Sequence, residues 1–155
     1  MTALPPTAAR ISVEEDLDGA RAWAGRHNWT ILWVAEALTL RAGTYHLRAQ
    51  RLVEVTAQCD GYRALPPEWR FVRPDTDETG REWHPAAGGP SIFHGNALIC
   101  VPWNRLAYAE HGGPHGDWSG PTAWLQVREG PVAFTIPDML AVIDAHLGQS
   151  PGMMA

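Results

Sequence analysis

The segment from Leu52 to Asp60 constrains this chain most. Its residues alternate strictly. Val53, Val55, Ala57 and Cys59 fall on one side, and Glu54, Thr56, Gln58 and Asp60 on the other. A period of two is the signature of a strand with one buried and one wet face, the pattern of an antiparallel sheet packed on something apolar. The next segment ends the pairing. Tyr62-Arg63-Ala64-Leu65-Pro66-Pro67 contains two prolines, which lack the N–H that a ladder needs. Trp69 to Arg73 reads as a further short strand, and Tyr45 to Gln50 as the strand before. Thr30 to Arg41 is apolar on both faces and suits a central strand. Short turns between consecutive strands make an antiparallel meander.

Helices flank this sheet in sequence. Ser12-Val13-Glu14-Glu15 has the form of a capping box. Val13, Leu17, Ala20 and Ala24 recur at helical spacing, so a helix is expected from about 13 to 26, preceded by a flexible arm over 1–11. Thr135, Pro137 and Asp138 open a second helix, with Met139, Leu140, Ile143 and Leu147 on its apolar face and Gly148 at its end. Between sheet and last helix lies a long irregular stretch, rich in Gly, Pro, His and Trp. It is broken by the apolar run Ala97–Val101 and by Ala123–Arg128, a candidate added strand. The order is helix, antiparallel strands, irregular segment, helix. That predicts one α+β domain over all 155 residues.

Composition excludes several classes. No apolar run approaches the length of a membrane span. The formal net charge is -5, which argues against nucleic-acid binding through a basic patch. All twelve basic side chains are Arg, so the chain has no Lys. The first residues do not resemble a secretory signal, and two cysteines without other export cues fit a cytoplasmic protein with two thiols. His111 and His115 are four apart, but Gly112, Gly113, Pro114 and Gly116 oppose the helix that would align them, so no metal or other cofactor is expected.

The two thiols differ in setting. Cys59 is in register with the buried side of its strand and reads as a small inert hydrophobe. Cys100 ends a buried run just before Val101-Pro102-Trp103, with His84, His94, His111, His115 and Asn96 in the irregular segments around it. A thiol at a strand end between polar loops is a place for chemistry.

These pieces, in order, resemble the core of ubiquitin-conjugating enzymes. The carriers of the likeness are Gly61-Tyr62…Leu65-Pro66-Pro67, Trp69-Arg70-Phe71-Val72, Trp83-His84-Pro85, Gly95-Asn96-Ala97-Leu98-Ile99-Cys100, Trp118 and the helix near 137–147. The resemblance implies the UBC fold, and a catalytic Cys100. Cys100 would accept a ubiquitin-like protein from an ATP-dependent activating enzyme as a thioester, then pass it to an amine of a target protein. His84 and Pro85 would hold the loop beside the thiol, and Trp103 and Trp118 would wall the site. Two departures matter. The family's His-Pro-Asn reads His84-Pro85-Ala86, and Ala86 has no side-chain donor for an oxyanion. Asn96 is the candidate replacement, with Asn104 second. Residues 107–127 look like an insertion. Within it Asp117 is a candidate proton acceptor, with His111 and His115 as alternatives. Both departures fit the divergent bacterial branch that resembles these enzymes and is associated with ubiquitin-like conjugation operons. A rival expectation is an inert UBC-like protein that only binds a ubiquitin-like protein or another partner. A Cys–His hydrolase with Cys100 as nucleophile is a third, without its signatures.

Overall fold

A computed structural model describes residues 6–110 and 118–155. The first helix, α1 (Pro6–His27), begins about two turns earlier than the capping-box signal implies. Pro6 fits a first helical turn, and Ala8-Ala9 continues it with the best of helix formers. Ser12 is therefore inside the helix rather than at its cap, and residues 6–11 are not a loose arm. Ala9, Val13, Leu17, Ala20, Trp23 and Ala24 form the buried stripe. The helix ends where Asn28 takes a left-handed backbone (φ 60). Trp29 then donates its N–H back to the Ala24 carbonyl at 3.0 Å, closing the last turn.

Four strands follow in meander order: β1 (Thr30–Val34), β2 (Thr39–His46), β3 (Arg51–Gln58) and β4 (Glu68–Val72), all antiparallel. The expected single strand over Thr30–Arg41 is in fact a hairpin. Ala35-Glu36-Ala37, good helix formers in the middle of the run, make a 3₁₀ turn, and Leu38 (φ 50) reverses the chain. The alternation in β3 is realised: Val53, Val55, Ala57 and the following Cys59 are buried. Leu40, Ala42, Trp69 and Phe71 join them in the core beneath α1 and the last helix. On the sheet's other face, residues 73–78 fold back. Arg41 there reaches the Glu54 carboxylate, the Thr76 carbonyl and the Asp77 carboxylate.

Beyond β4 the chain makes a short hairpin, β5 (Phe93–His94) and β6 (Leu98–Ile99). Its three-residue loop places Ala97 left-handed (φ 58), and Ala97 N–H bonds the His94 carbonyl at 3.0 Å. A short helix, α2 (Leu106–Glu110), follows. Pro121–Gln126 is a 3₁₀ segment, not an added strand, and the Trp124 indole inside it donates to the Arg63 carbonyl at 3.0 Å. Pro121 stands at the first position of this segment, where its fixed φ suits a helical turn. The last helix, α3 (Ile136–Gln149), is capped by Thr135, which accepts the Asp138 N–H as its sequence suggests. Gly148 lies within it, and Ser150 ends it. The architecture is α+β: a helix, a four-stranded antiparallel sheet and a closing helix.

Among the described residues, no helix is long and apolar enough to cross a membrane, and no three His, Cys, Asp or Glu side chains could hold a metal ion.

Candidate functional site

The two thiols fall in different apolar clusters, and neither is in a disulfide. Cys59 is fully inside the main core, where burial pushes its thiol up to about 12. Cys100 is at the end of β6, its N–H bonded to the Ile92 carbonyl at 2.8 Å. Side chains alternate along β6, so Ile99 enters the main core while Leu98 and Cys100 turn the other way. There they meet Ala107, Tyr108, Trp118 and Val127, a small second cluster under α2. Cys100 is 6% exposed, and burial raises its thiol above the ordinary range. Trp118 leans on Tyr108 with ring centroids 5.3 Å apart. Trp118 belongs to the same small cluster as Cys100.

Trp103 does not. It lies in the main core, edge-on to Trp69 at 6.1 Å, and its indole donates to the Pro131 carbonyl at 2.8 Å. Asn96 is exposed in the β5–β6 turn. Cys100 lies at the opposite end of that hairpin, about 10 Å away by strand geometry, so Asn96 does not reach the thiol. Asn104 is fully buried with its amide occupied. Its Nδ2 donates to the Ile99 and Trp69 carbonyls at 2.8 and 3.3 Å, and its Oδ1 accepts the Trp69 and Leu106 N–H groups. It ties β4 to β6 and starts α2. Its amide is thus spent on the scaffold, which removes the second oxyanion candidate. Asp117, His111 and His115 lie outside the described residues.

His84 is 3% exposed. It is buried between Phe71 and Phe93, edge-on to both at 5.0 and 5.6 Å. Its Nδ1 lies 2.8 Å from the Pro85 carbonyl, which can only accept, so Nδ1 carries the proton. Burial lowers the imidazole to about 4, so the ring is neutral at neutral pH. Pro85 pairs with Met153, and the Ala86 N–H bonds the Gly152 carbonyl at 2.8 Å. The His-Pro segment is thus fastened to the chain after α3. Gly88 is pressed onto the same helix end, where a Cβ would stand 1.8 Å from the Gln149 carbonyl oxygen.

A buried Ser–His contact elsewhere has the wrong polarity for catalysis. His46 Nε2 lies 3.0 Å from Ser150 Oγ, both buried. The Ala49 N–H donates to His46 Nδ1, so the proton is on Nε2. Ser150 Oγ then accepts from His46 and donates to the Gly152 carbonyl. An imidazole already donating to the hydroxyl cannot take its proton. This pair fastens the β2–β3 turn to the end of α3.

Beside β6 runs a cleft of about 290 Å³, lined by Leu98 and Ile99 of that strand but not by Cys100. One wall is β4 and the other is the β5–β6 hairpin, with Asn96 and His84 in the lining. Neither the bracing role of Asn104 nor this cleft was signalled by the sequence, since both depend on how β4 and β6 meet. No protein-family model matches this chain, and no curated protein matches it.

Proposed function

We propose that this protein is a conjugating-type acyl carrier. It accepts a ubiquitin-like protein from an ATP-dependent activating enzyme on Cys100 and passes it to an amine of a target protein. One observation carries the reading: of the two thiols, only Cys100 sits outside the main core. It lies at a strand end under a thin cover of Tyr108, Trp118 and α2. Cys59, by contrast, is packed in the main core with residues of the sheet and both long helices. The element order of helix, meander, hairpin, thiol and helix supports the same reading.

In the first step the Cys100 thiolate attacks the carbonyl carbon of the activating-enzyme thioester. The new C–S bond forms, the old one breaks, and the activating enzyme leaves as its thiolate. Thiol and thioester exchange without net change in bond type, so little driving force is needed. In the second step a target amine attacks, the amide C–N bond forms, the C–S bond breaks with Cys100 as the leaving group, and the amine's proton passes to the departing sulfur or to solvent. An apolar surround suits the interval between the steps, because it keeps water from the thioester.

The test mixes the protein with the activating enzyme, ATP and the ubiquitin-like protein, and resolves the products on a non-reducing gel. A thiol-sensitive adduct that survives Cys59→Ala and vanishes in Cys100→Ala is expected. Absence of that adduct, while the activating enzyme itself becomes charged, refutes the proposal. Ala86 favours a second reading, a UBC-like protein that binds a ubiquitin-like partner without chemistry, because that position offers no side-chain donor. That reading expects binding of the partner by wild type and Cys100→Ala alike, and no adduct.

A further inference from the structure

We propose that the cleft between β4 and the β5–β6 hairpin binds the carboxyl-terminal end of an extended peptide with small side chains. This stands whether or not Cys100 carries an acyl group, since the thiol is not part of the cleft's lining. The argument starts from the ladder. β4 is an edge strand, paired only with β3. In an antiparallel strand, N–H and C=O groups point alternately to the two sides. Trp69 gives both of its groups to Asn104, away from β3. Phe71, two residues on, must point its groups the same way, into the cleft. Arg73, two further on, gives its N–H to the Glu78 carbonyl at 2.8 Å. Phe71 is therefore the open position between two occupied ones. Among the described residues neither its N–H nor its C=O has a partner.

The wall adds three further features. His84 and Trp69 both line the cleft, and each keeps a buried ring nitrogen without a hydrogen-bond partner, Nε2 and Nε1 respectively. With the proton on Nδ1, His84 Nε2 is an acceptor, whereas the Trp69 indole only donates. One donor and one acceptor beside an open strand position match a backbone amide. Arg70 and Arg81 also line the cleft and no acid does. Arg70 pairs with Glu68 at 3.5 Å and Arg81 bonds the Gly95 and Ala155 carbonyls, and the donors each guanidinium has left favour a terminal carboxylate. Finally, the volume of about 290 Å³ is at the small end for ligand sites, which favours a short peptide end with small side chains. An edge strand, a polar pair and two guanidinium groups together call for backbone plus carboxylate, which is what a peptide end supplies.

The test titrates acetyl-triglycine into the nitrogen-15-labelled protein and follows the amide and indole resonances. Saturable shifts are expected at the Trp69 indole and the Phe71 amide. The same peptide ending in a carboxamide should bind about tenfold more weakly, as should the acid form to Arg81→Gln or Arg70→Gln, each checked for an otherwise unchanged spectrum. Three results overturn the proposal. These are no saturable shift at either resonance, equal binding of acetate, which marks an anion site only, or equal affinity in both arginine variants.

Discussion

Acid destabilises this fold through His84, by an amount that follows from its burial. The side chain is 3% exposed, and burial holds its imidazole at about 4 against an ordinary 6.5. The unfolded chain therefore takes up a proton near pH 6.5, and the folded chain only near pH 4. Between those values the unfolded state binds more protons, so stability falls as pH falls. The full difference of about 2.5 units corresponds to about 3 kcal/mol, and roughly 2.5 kcal/mol of it is lost by about pH 4.5. Burial also lowers His46 and His146, which adds loss of the same sign. The assay is urea unfolding at about pH 7.5 and about pH 4.5, for wild type and His84→Gln. Carboxylates and the other histidines contribute to both proteins and cancel in the comparison. The wild type should lose roughly 2.5 kcal/mol more than the variant over this interval. If the two lose the same amount within about 0.5 kcal/mol, His84 is not held neutral by burial and the reasoning fails.

Other outcomes follow from the same geometry. Asn104→Ala leaves buried backbone groups of Trp69 and Ile99 unpaired and should cost about 3 kcal/mol in urea unfolding. Gly88→Ala forces a Cβ onto the Gln149 carbonyl and should cost about 2 kcal/mol or more, read as a lower urea midpoint. With iodoacetamide in native buffer, Cys100 should react before Cys59, by mass spectrometry. Because its thiol is raised, its rate should climb about tenfold per pH unit through the neutral range. Under conjugating conditions no isopeptide should form on a lysine of this chain, since it has none; peptide mapping that finds an internal amide-linked adduct would contradict this.

How much of this was legible beforehand depends on how local each determinant is. The face of β3, the capping of α3 by Thr135 and the core placement of Cys59 follow from spacing within a few residues, and the sequence displays them directly. The Thr30–Arg41 run misleads because apolar residues on both faces suit a central strand and a tight hairpin equally. Only the helix-forming Ala35-Glu36-Ala37 distinguishes them. Ser12 shows the other failure, since a capping-box pattern inside a longer helix looks the same as one at its start. In the site, the contrast between Cys59 and Cys100 was readable from strand register. The separation of Asn96 from Cys100 was not, because nearness in sequence along a hairpin means distance in space. Trp103 and Asn104 took their roles from the meeting of β4 with β6, which no local pattern encodes.

The way β4 is closed has a consequence for crowded solutions. An exposed edge strand invites other chains to pair with it and grow into fibres. Such growth needs at least a few successive alternate residues with open groups. Here a side-chain amide blocks Trp69 and a carbonyl blocks Arg73, so a visiting strand finds a single register position at Phe71. A short peptide end fits that space, but another molecule's full strand does not. On this edge, the same two contacts that leave room for a ligand prevent the protein from polymerising on itself.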